Sequence, residues 1–329
     1  MTIAAQSSGR PSLVVRIYNQ PYLLLVLMAV FWAANIVVAR YVVGRVPPFS
    51  LTFIRWSGTF LIFAPFAWPH LQRDWAVIRK HVPLLLLMAF TGFAGNNGFA
   101  YWGLQHTQAL NGLLIQSSGP LFVALWMLIL FGVRLTPTQA IGIAMSLFGV
   151  LVIILHGRFT SLAKIEFNIG DVGVVMGLVV LGVYAALIPR RPPIHALSFM
   201  TFVTGTAAVM TIPLVILEIA AGNVMKFDAI TVATGIFMVI FPSAMGYLFY
   251  NRGIELIGPN RAAPFIHLVP LFGSVMAISL LGEELHLFHL IGYALVLSGV
   301  ITASRKPRVE VHLPSGATSS SDTCSTSRT

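Results

Sequence analysis

The chain has 329 residues, of which 57% are hydrophobic and only 9% charged, with a mean hydropathy of +0.86. A soluble fold carries roughly a quarter charged residues on its water-facing surface, so this composition implies an integral membrane protein. The net charge of +10 would suit a nucleic-acid binder only if it were gathered on one face, and its placement along the chain points elsewhere.

In chain order, residues 1–21 are polar, hold Arg10 and Arg16, and read as a cytoplasmic N-terminal segment. Ten apolar runs follow: 22–43, 49–68, 83–104, 109–131, 136–156, 170–188, 195–219, 230–251, 260–281 and 286–303. Each is close to the ~20 residues that span a bilayer core as a helix. Their unbroken apolarity differs from the period-two alternation of barrel strands. The first run is too long for a cleaved signal and has no small-residue cleavage site behind it. Residues 157–169 form a linker between the fifth and sixth runs, and 304–329 read as a disordered cytoplasmic tail. The single cysteine, Cys324, lies in that tail, so one chain can form neither a disulfide nor a cysteine metal site.

Ten crossings with both termini in the cytoplasm place 13 basic residues on the cytoplasmic side or just beyond it and 5 on the other. That is the positive-inside bias. The charge is a topology signal, and no nucleic-acid partner is expected. The expected partners are a bilayer, that of the cell (inner) membrane, and a small-molecule substrate.

Set against itself at an offset of 150, the chain shows an internal repeat. "FAYWGLQHTQALNGLLIQSSGPLFVALW" from Phe99 lies over "FYNRGIELIGPNRAAPFIHLVPLFGSVM" from Phe249 without a gap. Between 99 and 150 there are 14 identities in 52 positions, among them Gly103 with Gly253 and Pro120 with Pro270. Arg40 falls over Arg190. Two units of five spans, 22–156 and 170–303, follow. An odd count means that the second copy enters the membrane from the opposite side. Inverted repeats of this kind build secondary transporters, with the substrate near mid-depth between the halves.

The paired stretches "GLQHTQALNGLLIQSSGPLF" and "GIELIGPNRAAPFIHLVPLF", with "WAANIVVARYVVGRVPPFSLTFIRW" ahead of them, resemble the EamA-type drug/metabolite transporters. The resemblance covers about 22–303. It implies an all-α membrane fold of ten helices, N-in and C-in, and export of amino acids or other metabolites by alternating access. Related branches carry drugs or nucleotide sugars. The early membrane glutamate of the short four-helix drug exporters is missing; helix 1 offers Trp32 and Asn35 instead.

The polar residues inside the spans are the candidate site. Under the repeat Asn97 falls over Tyr247 and Tyr101 over Asn251, so each half carries an amide and a phenol four residues apart. Residues at that spacing share a helix face. Together with Trp32, Asn35, Gln116 and Tyr184 they would line a cavity for a small polar metabolite with an apolar or aromatic part. Each amide could instead tie helices together, worth about 1 kcal/mol or less. Asn96 takes that second role, facing Gly92. His267 could bind substrate or carry protons, or remain a neutral hydrogen-bonded residue. Pro120 and Pro270 each lack a backbone N–H mid-run and mark a kink or hinge. Arg55, six residues into helix 2, either snorkels to the interface, serves the fold, or pairs with a substrate carboxylate. There is no HExxH, no mid-depth pair of aspartates and no P-loop, so no catalytic residues, cofactor or metal are expected, and an intramembrane enzyme or a non-transporting scaffold is the weaker reading.

Overall fold

A computed structural model describes residues 18–132, 136–156 and 168–304. The N-terminal segment, the linker and the tail lie outside these residues, apart from their edges. The described chain is helical throughout: α1 (Pro21–Tyr41), α2 (Pro48–Lys80), α3 (Val82–Leu104), α4 (Ala109–Gln116), α5 (Gly119–Phe131), α6 (Pro137–Ile154), α7 (Ile169–Leu187), α8 (Ala196–Ala220), α9 (Ala229–Ile257), α10 (Leu268–Leu281) and α11 (Leu287–Ser304). Proline in the first turn starts α1, α2, α3, α5 and α6, where its missing N–H costs nothing. Gly132 and Gly282, 150 residues apart, end α5 and α10 at φ +64° and +68°, a backbone region that favours glycine.

Seven of these helices are long and apolar enough to cross a membrane, and α4 with α5 makes an eighth if the bent pair is one span. Phe265–Leu281 and Leu287–Ala303 are shorter apolar helices. The architecture is therefore an all-α, multi-spanning membrane fold.

Two expectations need correction. The second run does not stop at 68; α2 continues through Pro65 and Pro69 to Lys80. Carboxylates pin it to α8 at both ends. Glu218 accepts from the Phe49 and Ser50 N–H groups at 2.8 Å each, and Asp74 accepts from the His195 N–H at 2.9 Å. An anion at a helix N-terminus satisfies orphan donors and opposes the dipole, so α2 and α8 run antiparallel with each capping the other. Pro120, in turn, does not kink a continuous helix. The chain bends by 44° between Gln116 and Gly119, and Pro120 lies in the first turn after the bend. At the bend the Leu114 and Ile115 carbonyls accept both the backbone N–H and the hydroxyl of Ser117 and Ser118 respectively. Pro270 likewise sits third in α10, after the 3-10 turn Ala263–His267.

Packing follows the glycines. A Cβ on Gly142 would stand 2.5 Å from the Gly299 carbonyl oxygen, and one on Gly149 2.7 Å from that of Gly292. Only glycine allows α6 and α11 this approach. The pairing is reciprocal, since 142 and 149 correspond to 292 and 299 under the repeat. In the same crossed manner α3 packs on α7, with Gly103 against Gly170, and α9 packs on α1, with Gly253 against Leu25.

Candidate functional site: a buried arginine in an aromatic box

Both α3 and α9 widen into a π-turn, Phe90–Ala94 in one and Val239–Met245 in the other. The two turns overlap at the offset of 150. Such turns release carbonyls from the helical ladder and recur at functional sites. Pro242, which has no N–H, lies within the second turn. The released carbonyls take indole donors. Trp56 Nε1 donates to the Phe93 carbonyl at 3.1 Å, and Trp32 Nε1 donates to the Pro242 carbonyl at 3.1 Å. Asn97 Nδ2 also donates to Phe93, at 2.9 Å.

Arg55 enters the space between the two turns and is 4% exposed. Its Nε donates to Ser243 Oγ at 2.8 Å. Nη1 reaches Asn35 Oδ1 and Asn97 Oδ1 at 2.9 Å each, and the Tyr101 hydroxyl. That hydroxyl donates onward to Asn35 Oδ1 at 2.7 Å. The guanidinium also lies over the Trp56 ring, 4.5 Å from its centroid, a cation–π contact. Four helices, α1, α2, α3 and α9, thus converge on one cation.

Among the described residues no carboxylate answers it. The ion pairs among the described residues are Arg45–Asp228, Arg252–Glu255 and Glu284–His286. Burying an ion costs several kcal/mol even after relaxation. Neutral acceptors and an aromatic face offset part of that and leave the positive charge in place. Nη2 makes no hydrogen bond within the described residues, which leaves one edge of the fork for an anion. Arginine favours two-pronged recognition of a carboxylate.

Aromatic rings wall the cation. Trp32 meets Tyr247 with centroids 5.7 Å apart, Trp56 meets Phe93 at 4.9 Å, and Phe93 meets Tyr184 at 5.5 Å. Two glycines admit them. A Cβ on Gly92 would stand 2.5 Å from Tyr184 Cδ2, and one on Gly246 2.7 Å from Trp32 Nε1. Beside the cluster lies a cavity of about 20 Å³, lined by Asn35, Asn96, Asn97, Tyr101 and Gln116 among others, room for about one water. The expected open cavity is thus reduced to this small space in this conformation.

Trp32, Asn35, Arg55, Asn97, Tyr101, Tyr184 and Tyr247 come together, and Gln116 lines the cavity. Asn251 does not join them. It lies on an exposed face of α9, although Tyr247, one turn earlier on the same helix, is in the cluster. Gly92 faces Tyr184, and Asn96 lines the cavity. His267 is half-buried at the end of the 3-10 turn before α10, apart from the Arg55 cluster. Sequence reasoning missed Trp56, Phe93 and Ser243. Only Pro242, interrupting an apolar run, pointed to the turn that delivers Ser243. No group of three His, Cys, Asp or Glu among the described residues could hold a metal ion.

The sequence profile of the EamA-like transporter family matches residues 19–155 and again residues 168–305. The chain belongs to this family and is a multi-spanning secondary transporter of the drug/metabolite superfamily. It is 26% identical over 294 residues to the Bacillus subtilis protein named "Uncharacterized transporter YyaM", covering 88% of this chain and 94% of that one. It is 25% identical over 305 residues to the Escherichia coli K12 "Probable amino-acid metabolite efflux pump", covering 84% and 92%. It is 25% identical over 231 residues to a Streptantibioticus cattleyicolor "Probable terminal-alkyne amino-acid exporter", covering 69% and 74%. A solved structure titled "Crystal structure of protein" shares the fold at TM-score 0.58 and 18% identity, over 85% of this chain and 95% of its own.

Proposed function

We propose that this transporter exports small carboxylate-bearing metabolites, foremost amino acids with apolar or aromatic side chains, by alternating access between two inverted five-helix halves. One observation carries the reading: among the described residues Arg55 is a buried cation held by neutral groups alone and walled by rings from both halves. A substrate carboxylate supplies the missing charge, and the rings receive its apolar part. The names of two relatives, an amino-acid metabolite efflux pump and an alkyne amino-acid exporter, agree with that chemistry. A nucleotide-sugar carrier would need several cations for its phosphates, and Arg55 is one.

The halves are 22–156 and 170–303, each of five spans if α4 with α5, α10 and α11 all cross. The crossed pairing of α6 with α11, the reciprocal caps of α2 and α8, and the π-turns 150 residues apart support the inversion. Both termini lie in the cytoplasm, by the positive-inside bias.

The test is counterflow in proteoliposomes loaded with labelled L-phenylalanine, L-threonine or ethidium. Phenylalanine exchange is expected, with Arg55→Lys lowering it at least about tenfold through loss of the two-pronged contact and Arg55→Met abolishing it. Exchange of ethidium alone, or undiminished phenylalanine exchange by Arg55→Met, would sink the reading.

A further inference from the structure

A second buried polar cluster lies at the end of the bundle that carries Arg40, and the substrate seat makes no use of it. Asp171, third in α7, is fully buried. Its Oδ1 accepts from Thr107 Oγ1 at 2.5 Å, and both carboxylate oxygens lie 3.3 Å from Asn111 Nδ2. Asn111 Oδ1 is 2.9 Å from Nε2 of His289, which is 1% exposed. No Lys or Arg pairs with Asp171 among the described residues. The titratable groups that act on Asp171 and His289 from neighbouring elements are His156, just past the end of α6, and His286, in the turn before α11.

The hydrogen bonds fix the state of His289. Its Nδ1 accepts the His286 backbone N–H at 3.0 Å, so Nδ1 carries no proton and Nε2–H donates to Asn111. A second proton would put two donors face to face and break the bond to His286. That bond holds the turn between α10 and α11. The same turn carries Glu283, whose carboxylate accepts from the Ala109 and Leu110 N–H groups at 2.7 Å each. Those donors are the N-terminus of α4. An open cleft of about 550 Å³, lined by Arg40, Gln108, Glu283, Glu284 and His286, lies beside the turn.

We propose that Asp171, Asn111 and His289 form a proton-binding site of this transporter, and that a proton taken from the cleft releases the 282–286 turn from α4. The release parts one half from the other at this end. That the proton comes from outside the cell rests on the orientation proposed above; the site itself does not. The cluster lies in what the sequence presents as helix ends, whereas a mid-depth search had turned to His267.

The test uses the full chain in nanodiscs. Difference infrared spectra of wild type minus Asp171→Asn, recorded between about pH 4 and 9, are expected to show a carboxylic-acid band. Its midpoint should move by at least about one pH unit in His289→Gln, as for coupled sites. Gln keeps a donor for Asn111 and cannot titrate. In a Cys324→Ser background, the thiol-labelling rate of Ala109→Cys relative to Gln108→Cys should rise about tenfold on acidification, one unit of log K, and stay flat once His289→Gln is added. An absent Asp171 band, an unmoved midpoint, or a flat ratio in the presence of His289 overturns the proposal. Neither readout uses a substrate, so a failed amino-acid counterflow bears on the export reading alone.

Discussion

Arg40 and Arg190 hold the same place in the two halves, yet one is tied down and the other is free of its equivalent partners. Arg40, in the last turn of α1, donates from Nη1 to the Leu104 carbonyl at 2.8 Å and the Gln105 carbonyl at 3.4 Å, closing the end of α3. The matching carbonyls for Arg190 are those of Ile254 and Glu255 at the end of α9. Arg190 is exposed instead, its guanidinium 4.7 Å over the Phe131 ring. At the Arg40 end carboxylates cap α2 and α4 and a buried network joins α4, α7 and α11. At the other end the ion pair Arg252–Glu255 and the Asp74 cap are exposed to solvent. Equivalent positions in unequal engagement are what one frame of an alternating pair should look like. On the alternating-access reading proposed above, the Arg40 end would be the closed one.

The largest effect that could break this contrast is at the caps. Glu218 is 8% exposed and serves three donors, the third being Ser50 Oγ at 2.8 Å. Its loss in Glu218→Ala leaves buried N–H groups unpaired and should cost about 3 kcal/mol of unfolding free energy in detergent. Asp74→Ala at the opposite end removes a solvent-screened cap and should cost less than about 1 kcal/mol. Equal losses in denaturant titrations would mean that the two ends are held equally.

A middle effect sharpens the comparison. Arg40→Ala removes a charged donor from two backbone carbonyls and should cost about 1.5 kcal/mol, while Arg190→Ala should change stability by under about 0.5 kcal/mol. Freeing the Arg40 end should also let the opposite end close. Spin labels at Arg191→Cys and Leu256→Cys, on a Cys324→Ser background, should draw together in the Arg40→Ala variant. An unchanged distance distribution would leave Arg40 a helix cap without a role in the exchange.

How much of this could be read beforehand depends on the kind of contact. Helices, repeat and face pairs are periodic, so Asn97 and Tyr101 were found four residues apart and do share one cation. The cation's other partners were beyond reach. Ser243 and the Phe93 carbonyl matter only because α3 and α9 widen locally, and a π-turn has no periodic signature. Asn251 was misplaced because the repeat matches positions and not their surroundings: Tyr247, one turn earlier, is in the cluster, and Asn251 is exposed. Asp171 was passed over because a residue near the start of a span looks solvated, and its burial depends on Asn111 and His289 arriving from elements 60 and 118 positions away. Hydropathy sees segments; it does not see which ends meet.

The smallest effect concerns the exposed edge of the closed end and tests whether that end is held from the inside or from the rim. Asp228, ahead of α9, accepts from the Thr231 N–H at 2.8 Å and pairs with Arg45 at 2.6 Å. The Thr231 N–H first, then the Arg45 cation, hold its carboxyl below the usual range. A carboxyl lowered on folding contributes its stability above its unfolded pKa and loses it as the pH falls through the folded one. Asp228→Asn keeps an acceptor for Thr231 and removes only the titrating charge. Its melting temperature should match wild type at low pH and fall slightly below it at neutral pH, with the gap narrowing in high salt. A gap at neutral pH as large as the Glu218→Ala loss, closing on acidification, would place the hold on this end at the rim and take it away from the buried caps.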